Sequence, residues 1–125
     1  MKIRRLPDGE FEIMKAIWHA KEPITSVELT KILKSTLPER DWKQQTVMTM
    51  LTRLESKGFI RSEKNGKERH YFVVITEAEY IRIEEESFRK KFSGTSLPAL
   101  VKTLCESDGI SQEDIDELKD FINKL

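Results

Sequence analysis

The sequence predicts a mainly α-helical fold with one small β-hairpin. Six segments show the apolar recurrence at i, i+3, i+4 and i+7 that is typical of a helix with one buried face. Between the third and fourth, an Asn-Gly pair at residues 65–66 separates two strand-like segments and indicates a hairpin. Residues 1–73 contain 15 Lys+Arg and 10 Asp+Glu, whereas residues 74–125 contain 7 and 12. We therefore expect a basic N-terminal domain, residues 1–75, and an acidic helical domain, residues 76–125.

The first two predicted helices begin at sequence signals for a helix N-terminus. Helix 1 is expected at about residues 8–20, because Pro7 suits a helix start. Helix 2 is expected at about residues 26–36, where Thr25 and Glu28 have the spacing of a capping box. The apolar stripes are Phe11, Met14, Ile17 and Trp18 in helix 1, and Leu29, Ile32, Leu33 and Leu37 in helix 2.

The third predicted helix, residues 42–57, has an unusual polar face. Its apolar stripe consists of Val47, Met50, Leu51 and Leu54. Its opposite face and N-terminal turn carry short or fork-shaped polar side chains, namely Lys43, Gln44, Gln45, Thr46, Thr49, Thr52 and Arg53. An ordinary solvated helix face would be expected to carry Glu and Lys pairs, and this face has almost no negative charge. Gln, Arg and Thr can instead read base edges in the major groove of DNA.

The hairpin that follows is basic around its turn. Gly58 has the place of a C′ glycine that ends helix 3, and Asn65 and Gly66 are expected to form a turn in which both adopt positive φ. A short strand near residues 23–24 is expected to pair with this hairpin. The wing cations are Lys64, Lys67 and Arg69. Alone, this would be an ordinary surface hairpin; directly after helix 3, it predicts a winged helix-turn-helix in which the wing cations meet phosphates.

The C-terminal part is expected to contain three more helices. Helix 4 is predicted at about residues 77–92, after a capping-box pattern at Thr76 and Glu79; helix 5 covers about residues 97–105, and helix 6 follows Ser111. Breaks are expected at residues 94–96 and 107–109. The apolar positions of helix 4 are Tyr80, Ile81, Phe88 and Phe92, and the stripe of helix 6 includes Leu125. The apolar positions expected at a dimer interface are Ile81, Phe88, Leu97, Leu100, Val101, Leu104, Ile115, Leu118, Phe121 and Ile122. A second copy of the chain would cover them in a homodimer, and the alternative is that these helices fold back on the N-terminal domain.

Several classes of protein are excluded by what the sequence lacks. The sequence has no apolar run of the roughly 18–20 residues that span a bilayer and no signal-peptide pattern. Its single cysteine, Cys105, cannot form an internal disulfide and suggests a reducing compartment, so a cytoplasmic location is expected. Cys105 lies beside the stripe of helix 5 and is expected to be a small buried hydrophobe. His19 and His70 are too isolated for a metal site, and we expect no cofactor and no enzymatic activity because no catalytic motif is present.

The chain resembles the BlaI/MecI family of penicillinase and methicillin-resistance repressors, which also includes CopY-type copper repressors. The most specific segment is Thr-x-x-Thr-x-Leu-x-Arg-Leu at residues 46–54, and residues 10–18, 57–60 and 111–118 add to it. The resemblance implies a homodimer with a winged-helix DNA-binding domain and a C-terminal helical dimerisation domain. It implies binding to a palindromic operator, repression of transcription, and release on an inducing signal.

The resemblance also directs attention to one peptide bond and one possible metal site. In the antibiotic-resistance members, release follows cleavage within helix 5, in a pathway that starts from a membrane sensor-protease. The corresponding bond here joins Thr103 and Leu104, whereas the family cleaves an Asn-Phe bond. The copper-sensing members carry a pair of Cys-x-Cys motifs, which Cys105 alone cannot supply. The residues also leave open a protein-interaction module on a winged-helix scaffold, and activation in place of repression.

Overall fold

The computed structural model describes residues 3–94, 96–107 and 109–125. These residues form a mainly α-helical fold with a two-stranded antiparallel sheet, as predicted. The elements are α1 Asp8–Trp18, α2 Ser26–Thr36, α3 Gln44–Ser56, β1 Ile60–Asn65, β2 Glu68–Val73, α4 Glu77–Lys91, α5 Leu97–Glu106 and α6 Gln112–Asn123. The predicted breaks at residues 94–96 and 107–109 include Thr95 and Asp108, which lie outside the described residues.

The chain divides into two compact units, with unit 1 ending at Glu86 and unit 2 beginning at Ser87. This division lies within α4, whereas the sequence placed the domain boundary after residue 75. The first turns of α4 belong to unit 1 because the Tyr80 side chain is buried in its core, with only 1% exposed.

The core of unit 1 is formed by the buried faces of α1, α2 and α3 and by the base of the hairpin. Ile13, Met14 and Ile17 supply the buried face of α1, although Ile13 was not part of its predicted stripe. The capping box of α2 is confirmed, since the Glu28 N–H donates to Thr25 Oγ1 at 3.2 Å and the Thr25 N–H donates to Glu28 Oε1 at 3.2 Å.

Helix α3 begins two residues later than predicted. Lys43 is its N-cap, and Trp42 precedes the helix with its side chain buried in the core. Three of the four residues of the predicted apolar stripe, Val47, Leu51 and Leu54, are buried, and Met50 is half-buried. The local sequence could not decide whether Trp42 belongs to the helix or precedes it, because a large aromatic residue at this position can extend the helix or anchor the chain that leads into it.

The hairpin turn differs from the prediction. Asn65 pairs with Glu68 at the ends of the two strands, so the loop consists of Gly66 and Lys67. Gly66 has φ +67°, and Asn65 does not have a positive φ. Positive φ at the first loop residue alone is the pattern of a type II′ turn, in which glycine takes the strained position. The expected extra strand is confirmed as a single antiparallel bridge between Ile24 and Tyr71.

Tyr80 joins α4 to the rest of unit 1. Its ring packs against three other aromatic rings, with centroids 5.7 Å from Phe11, 5.6 Å from Trp18 and 5.7 Å from Phe59. Its hydroxyl accepts a hydrogen bond from the Leu6 N–H at 2.7 Å and donates to Glu84 Oε1 at 2.7 Å. Burial raises the pKa of Tyr80 to about 12. The capping box at the start of α4 is also present, with the Glu79 N–H donating to Thr76 Oγ1 at 3.2 Å.

Unit 2 contains the end of α4 together with α5 and α6. Ser111 caps α6, because its side chain accepts from the Asp114 N–H at 3.1 Å. None of its described residues is buried, and Cys105 is only half-buried, so the expectation that Cys105 is a buried hydrophobe is wrong for the single chain. Among the described residues, no helix is long and apolar enough to span a membrane.

Candidate nucleic-acid interface

The polar residues of α3 lie on its solvent-exposed face. The seven side chains that were predicted for DNA contact in α3 and at its N-cap are all exposed, namely Lys43, Gln44, Gln45, Thr46, Thr49, Thr52 and Arg53. The Thr49 hydroxyl donates to the Gln45 carbonyl at 3.0 Å, and the Thr52 hydroxyl donates to the Met48 carbonyl at 3.0 Å. Their protons are therefore used within the helix. Each threonine presents its methyl group and the oxygen lone pairs to an external partner.

The hairpin has two chemically different faces. Ser62 pairs with Tyr71 and Lys64 pairs with Arg69, so these four side chains share one face of the sheet. Arg61 belongs to the opposite face, where its Nη1 donates to Glu63 Oε1 at 2.7 Å. Because Tyr71 is buried in the core of unit 1, the first face is the one directed towards the helices of that unit.

A cleft of about 360 Å³ lies between the N-termini of α2 and α3 and the hairpin. Its lining residues are Thr25, Ser26, Val27, Gln44, Met48, Lys64, Lys67, Glu68, Arg69 and Tyr71. It brings together four residues of the predicted site, Gln44, Lys64, Lys67 and Arg69. The other predicted residues of α3 are exposed but do not line the cleft, so the site consists of a cleft and an adjoining helix face.

The cleft is electropositive. Lys64 and Arg69 lie directly opposite each other across the two strands, and like charges in such a pair are unfavourable by themselves. Lys67 adds a third cation, while Glu68 is the carboxylate of the lining. The first N–H groups of α2, which begins at Ser26, carry the partial positive charge of a helix N-terminus. A phosphate in the cleft would relieve the repulsion between the cations.

Six of the ten lining residues were not among the predicted site residues, namely Thr25, Ser26, Val27, Met48, Glu68 and Tyr71. Ser26 opens α2, and the Val27 and Met48 side chains are 43% and 48% exposed. Val27 and Met48 are apolar residues that fall outside the buried stripes of their own helices. That mismatch is the sequence signal that could have identified them.

Burial and two nearby charges act on the Tyr71 hydroxyl beside the cleft. Burial raises the pKa of Tyr71, the positive charge of Arg69 opposes this effect, and the negative charge of Glu55 adds to it. Arg69 and Glu55 both hydrogen-bond to Ser62, the residue paired with Tyr71 across the two strands. Since Glu55 belongs to α3 and Arg69 to β2, the contact between helix and wing contains opposite charges.

The apolar residues proposed from sequence for self-association form a second group, on α4, α5 and α6. Seven are exposed, namely Ile81, Phe88, Leu97, Leu104, Leu118, Phe121 and Ile122, and Leu100, Val101 and Ile115 are half-buried. Thr103 and Leu104, the two residues of the possible cleavage bond, are exposed and lie within α5. The Thr103 hydroxyl donates to the Ala99 carbonyl at 2.9 Å, so this bond is part of a formed helix.

Comparisons with known proteins agree with this arrangement. The family model described as "Penicillinase repressor" matches residues 6–124. The chain is 32% identical to the penicillinase repressor of Bacillus licheniformis over 98% of this chain and 93% of that protein. It is 29% identical to the methicillin resistance regulatory protein MecI of Mammaliicoccus sciuri over 98% and 97%. The solution structure of the DNA binding domain of the repressor BlaI is similar over 63% of this chain and 92% of that one, with 37% identity and a TM-score of 0.53.

Proposed function

The chain belongs to the penicillinase repressor family, and we propose that it is a dimeric transcriptional repressor that binds a palindromic operator. The relatives are regulators of transcription and not enzymes. The observation that carries the proposal is the cleft that gathers Gln44, Lys64, Lys67 and Arg69 beside the exposed polar face of α3. Operator DNA supplies both things that this surface fits, phosphates for the cleft and base edges for the helix.

The two parts of the surface have different tasks. The wing cations and the N-terminus of α2 hold the phosphate backbone and fix the register, which gives affinity without sequence preference. The α3 face enters the major groove, where Gln45 is suited to adenine, Arg53 to guanine and the Thr49 methyl group to thymine. Operator preference then comes from α3 and salt sensitivity from the wing.

The dimer is supported by the apolar surface of unit 2. In the single chain the Phe121 side chain is 62% exposed, and the neighbouring apolar residues of α6 are exposed with it. Monomeric proteins seldom leave a large contiguous apolar patch in water, and a second copy would cover it by twofold symmetry. A twofold dimer of DNA-binding units matches a palindromic operator.

The proposal is tested first by fluorescence anisotropy of the full chain with DNA from upstream of its own gene. The titration is made at two salt concentrations with a scrambled competitor. Lys67→Ala should weaken binding to every sequence alike and reduce the slope of log K against log[salt] by about 0.9 per lost phosphate contact. Arg61→Ala, on the opposite face of the wing, is the matched control and should leave the slope unchanged. A chain that shows no salt-dependent DNA binding would instead favour a protein-interaction module.

The reading role of α3 has its own test. Replacing Gln45, Thr49 or Arg53 by Ala should cost roughly 1–3 kcal/mol on the cognate operator and relax the preference at particular bases. Randomised-site selection with each variant measures that preference. If these variants and Lys67→Ala lose affinity in the same way on all sequences, the division between reading and positioning residues is refuted.

The dimer is tested by size-exclusion chromatography with light scattering at micromolar concentration. Phe121→Glu places a charge on the apolar face of α6 and should give a monomer. Val74→Glu is the matched control, because Val74 is an exposed apolar residue of unit 1. A wild-type chain that elutes as a monomer, or a Val74→Glu chain that dissociates as readily as Phe121→Glu, would contradict the proposed interface.

Release by an inducing signal completes the proposal. A cytoplasmic repressor could be released by proteolysis between Thr103 and Leu104, in a pathway with a membrane sensor-protease. Because this bond lies within α5, local unwinding would have to precede cleavage. Mass spectrometry of the chain from cells grown with and without a β-lactam tests this step, and an intact chain with unchanged repression would exclude it. Transcription from the operator promoter in vitro distinguishes repression from activation.

A further inference from the structure

A chain of hydrogen bonds connects the wing to α3. Arg69 Nη1 donates to Ser62 Oγ at 3.0 Å, and Ser62 Oγ lies 2.8 Å from Glu55 Oε1 and 2.9 Å from Glu55 Oε2. A serine hydroxyl has a single proton, and an ionised carboxylate can only accept. The Ser62 proton is therefore directed to Glu55, and the lone pairs of Ser62 remain for Arg69. The two hydrogen bonds therefore run in one donor-to-acceptor direction, from Arg69 through Ser62 to Glu55.

These hydrogen bonds restrain the long Arg69 side chain at the edge of the cleft. Arg69 is exposed and lines the cleft, whereas Ser62 and Glu55 are half-buried. A guanidinium has five N–H donors, so the bond to Ser62 leaves others for a phosphate. In the part of the chain that the structure describes, Lys64 and Lys67 make no side-chain hydrogen bond of this kind. Arg69 is thus the wing cation whose direction is set before DNA arrives.

The neighbouring charges explain why such a restraint is needed. Lys64 lies directly across the strands from Arg69 and repels it. Without the Ser62 acceptor, this repulsion would favour rotation of the Arg69 side chain towards solvent, away from Lys64. The Glu55 carboxylate attracts the guanidinium and orients the Ser62 hydroxyl to accept from it, and both effects oppose this repulsion and keep the guanidinium beside the cleft.

We propose that Ser62, oriented by Glu55, positions the Arg69 guanidinium to bind one phosphate of the DNA backbone. Ser62 and Glu55 are positioning residues, and Arg69 is the group that touches the phosphate. This inference rests on the proposed function, since it concerns the same cleft and names two residues on which the wing contact depends. Ordering a long side chain upon binding costs an amount that corresponds to about two- to tenfold in affinity. The hydrogen bonds from Arg69 to Ser62 and from Ser62 to Glu55 order the Arg69 side chain before DNA binds, so binding does not incur that cost.

The test is a double-mutant cycle in the full chain, measured by anisotropy on one duplex. Ser62→Ala should weaken binding about two- to tenfold in the wild-type background and not at all in the Arg69→Ala background. Ser62→Thr retains the hydroxyl and should restore affinity to within about twofold of wild type. A Ser62→Ala loss of the same size in both backgrounds overturns the inference. Should Ser62→Ala fail to fold, as tryptophan fluorescence would reveal, Ser62→Cys keeps the volume with a much weaker acceptor and takes its place.

Methylphosphonate substitution identifies the phosphate. Each backbone phosphate of the duplex is made neutral in turn, and we expect one position at which neutralisation weakens wild-type binding but not Arg69→Ala binding. Ser62→Ala should reduce the penalty at that same position. Penalties that Ser62→Ala leaves unchanged at every phosphate refute the positioning role alone. A wild-type chain that binds no duplex at all refutes the proposed function as well.

Discussion

Replacement of Tyr80 by Phe isolates the contribution of one buried hydroxyl to the stability of unit 1. The substitution keeps the ring and its contacts with Phe11, Trp18 and Phe59. It removes the oxygen that accepts from the Leu6 N–H and donates to Glu84. The result therefore measures hydrogen bonding without creating a large cavity.

The expected loss follows from the two partners that are left behind. The Leu6 N–H becomes a buried donor without a partner, which costs about 1–3 kcal/mol. Glu84 loses less, because it is partly exposed and keeps Arg5, whose Nε lies 3.1 Å from Glu84 Oε2. We expect the free energy of unfolding to fall by about 2–3 kcal/mol, a shift of roughly 1–2 M in the urea midpoint.

Urea unfolding followed by tryptophan fluorescence is the assay. Trp18 and Trp42 both belong to unit 1, and the Trp18 ring contacts Tyr80 directly, so the signal reports this unit. Tyr71→Phe is the matched control, because the Tyr71 hydroxyl makes no hydrogen bond within the described part of the chain, and its midpoint should stay close to wild type. A Tyr80→Phe loss below about 0.5 kcal/mol, or equal losses for the two variants, would refute the reasoning.

Three further predictions concern the same unit. The pKa of Tyr80 is raised from 10.0 to about 12 in the folded chain, so the contribution of its hydroxyl to the free energy of unfolding is complete below pH 10 and is lost as the pH rises through 12. The stability difference between wild type and Tyr80→Phe should therefore shrink over that pH range. Urea midpoints that keep a constant difference would contradict this prediction. Thr25→Ala removes the cap of α2 and should cost about 1 kcal/mol in urea unfolding, whereas Thr36→Ala at the exposed end of that helix should cost less. Gly66→Ala adds a Cβ to a residue with φ +67°, and no other atom lies within 4 Å of that Cβ. The free energy of unfolding should therefore fall by about 1 kcal/mol through backbone strain alone. An unchanged urea midpoint would argue against the type II′ turn.

Features encoded within three or four residues could be predicted from the sequence. The bounds of α2, the capping boxes at Thr25 and Thr76, and the exposed polar face of α3 agree with the structure. In each case the cause is local, because a cap needs a hydroxyl and a carboxyl at fixed spacing and a helix face needs only the periodicity of 3.6 residues. The predictions that failed are the start of α3 at Trp42 and the turn at Asn65–Gly66. At both places two local conformations are compatible with the same residues.

The tertiary structure decided what depends on residues far apart in the chain. The Leu6 N–H meets the Tyr80 hydroxyl, Trp18 Nε1 donates to the Ile75 carbonyl at 2.9 Å, and Ser62 bridges Glu55 and Arg69. Such contacts form only after helices and strands pack, and no short pattern specifies them because each partner has several acceptable alternatives in the sequence. The sequence by itself determined that this chain has a polar helix followed by a basic wing. Only packing decided that one face of the wing closes on α3 to form a cleft, since that choice depends on which side chains the core can bury.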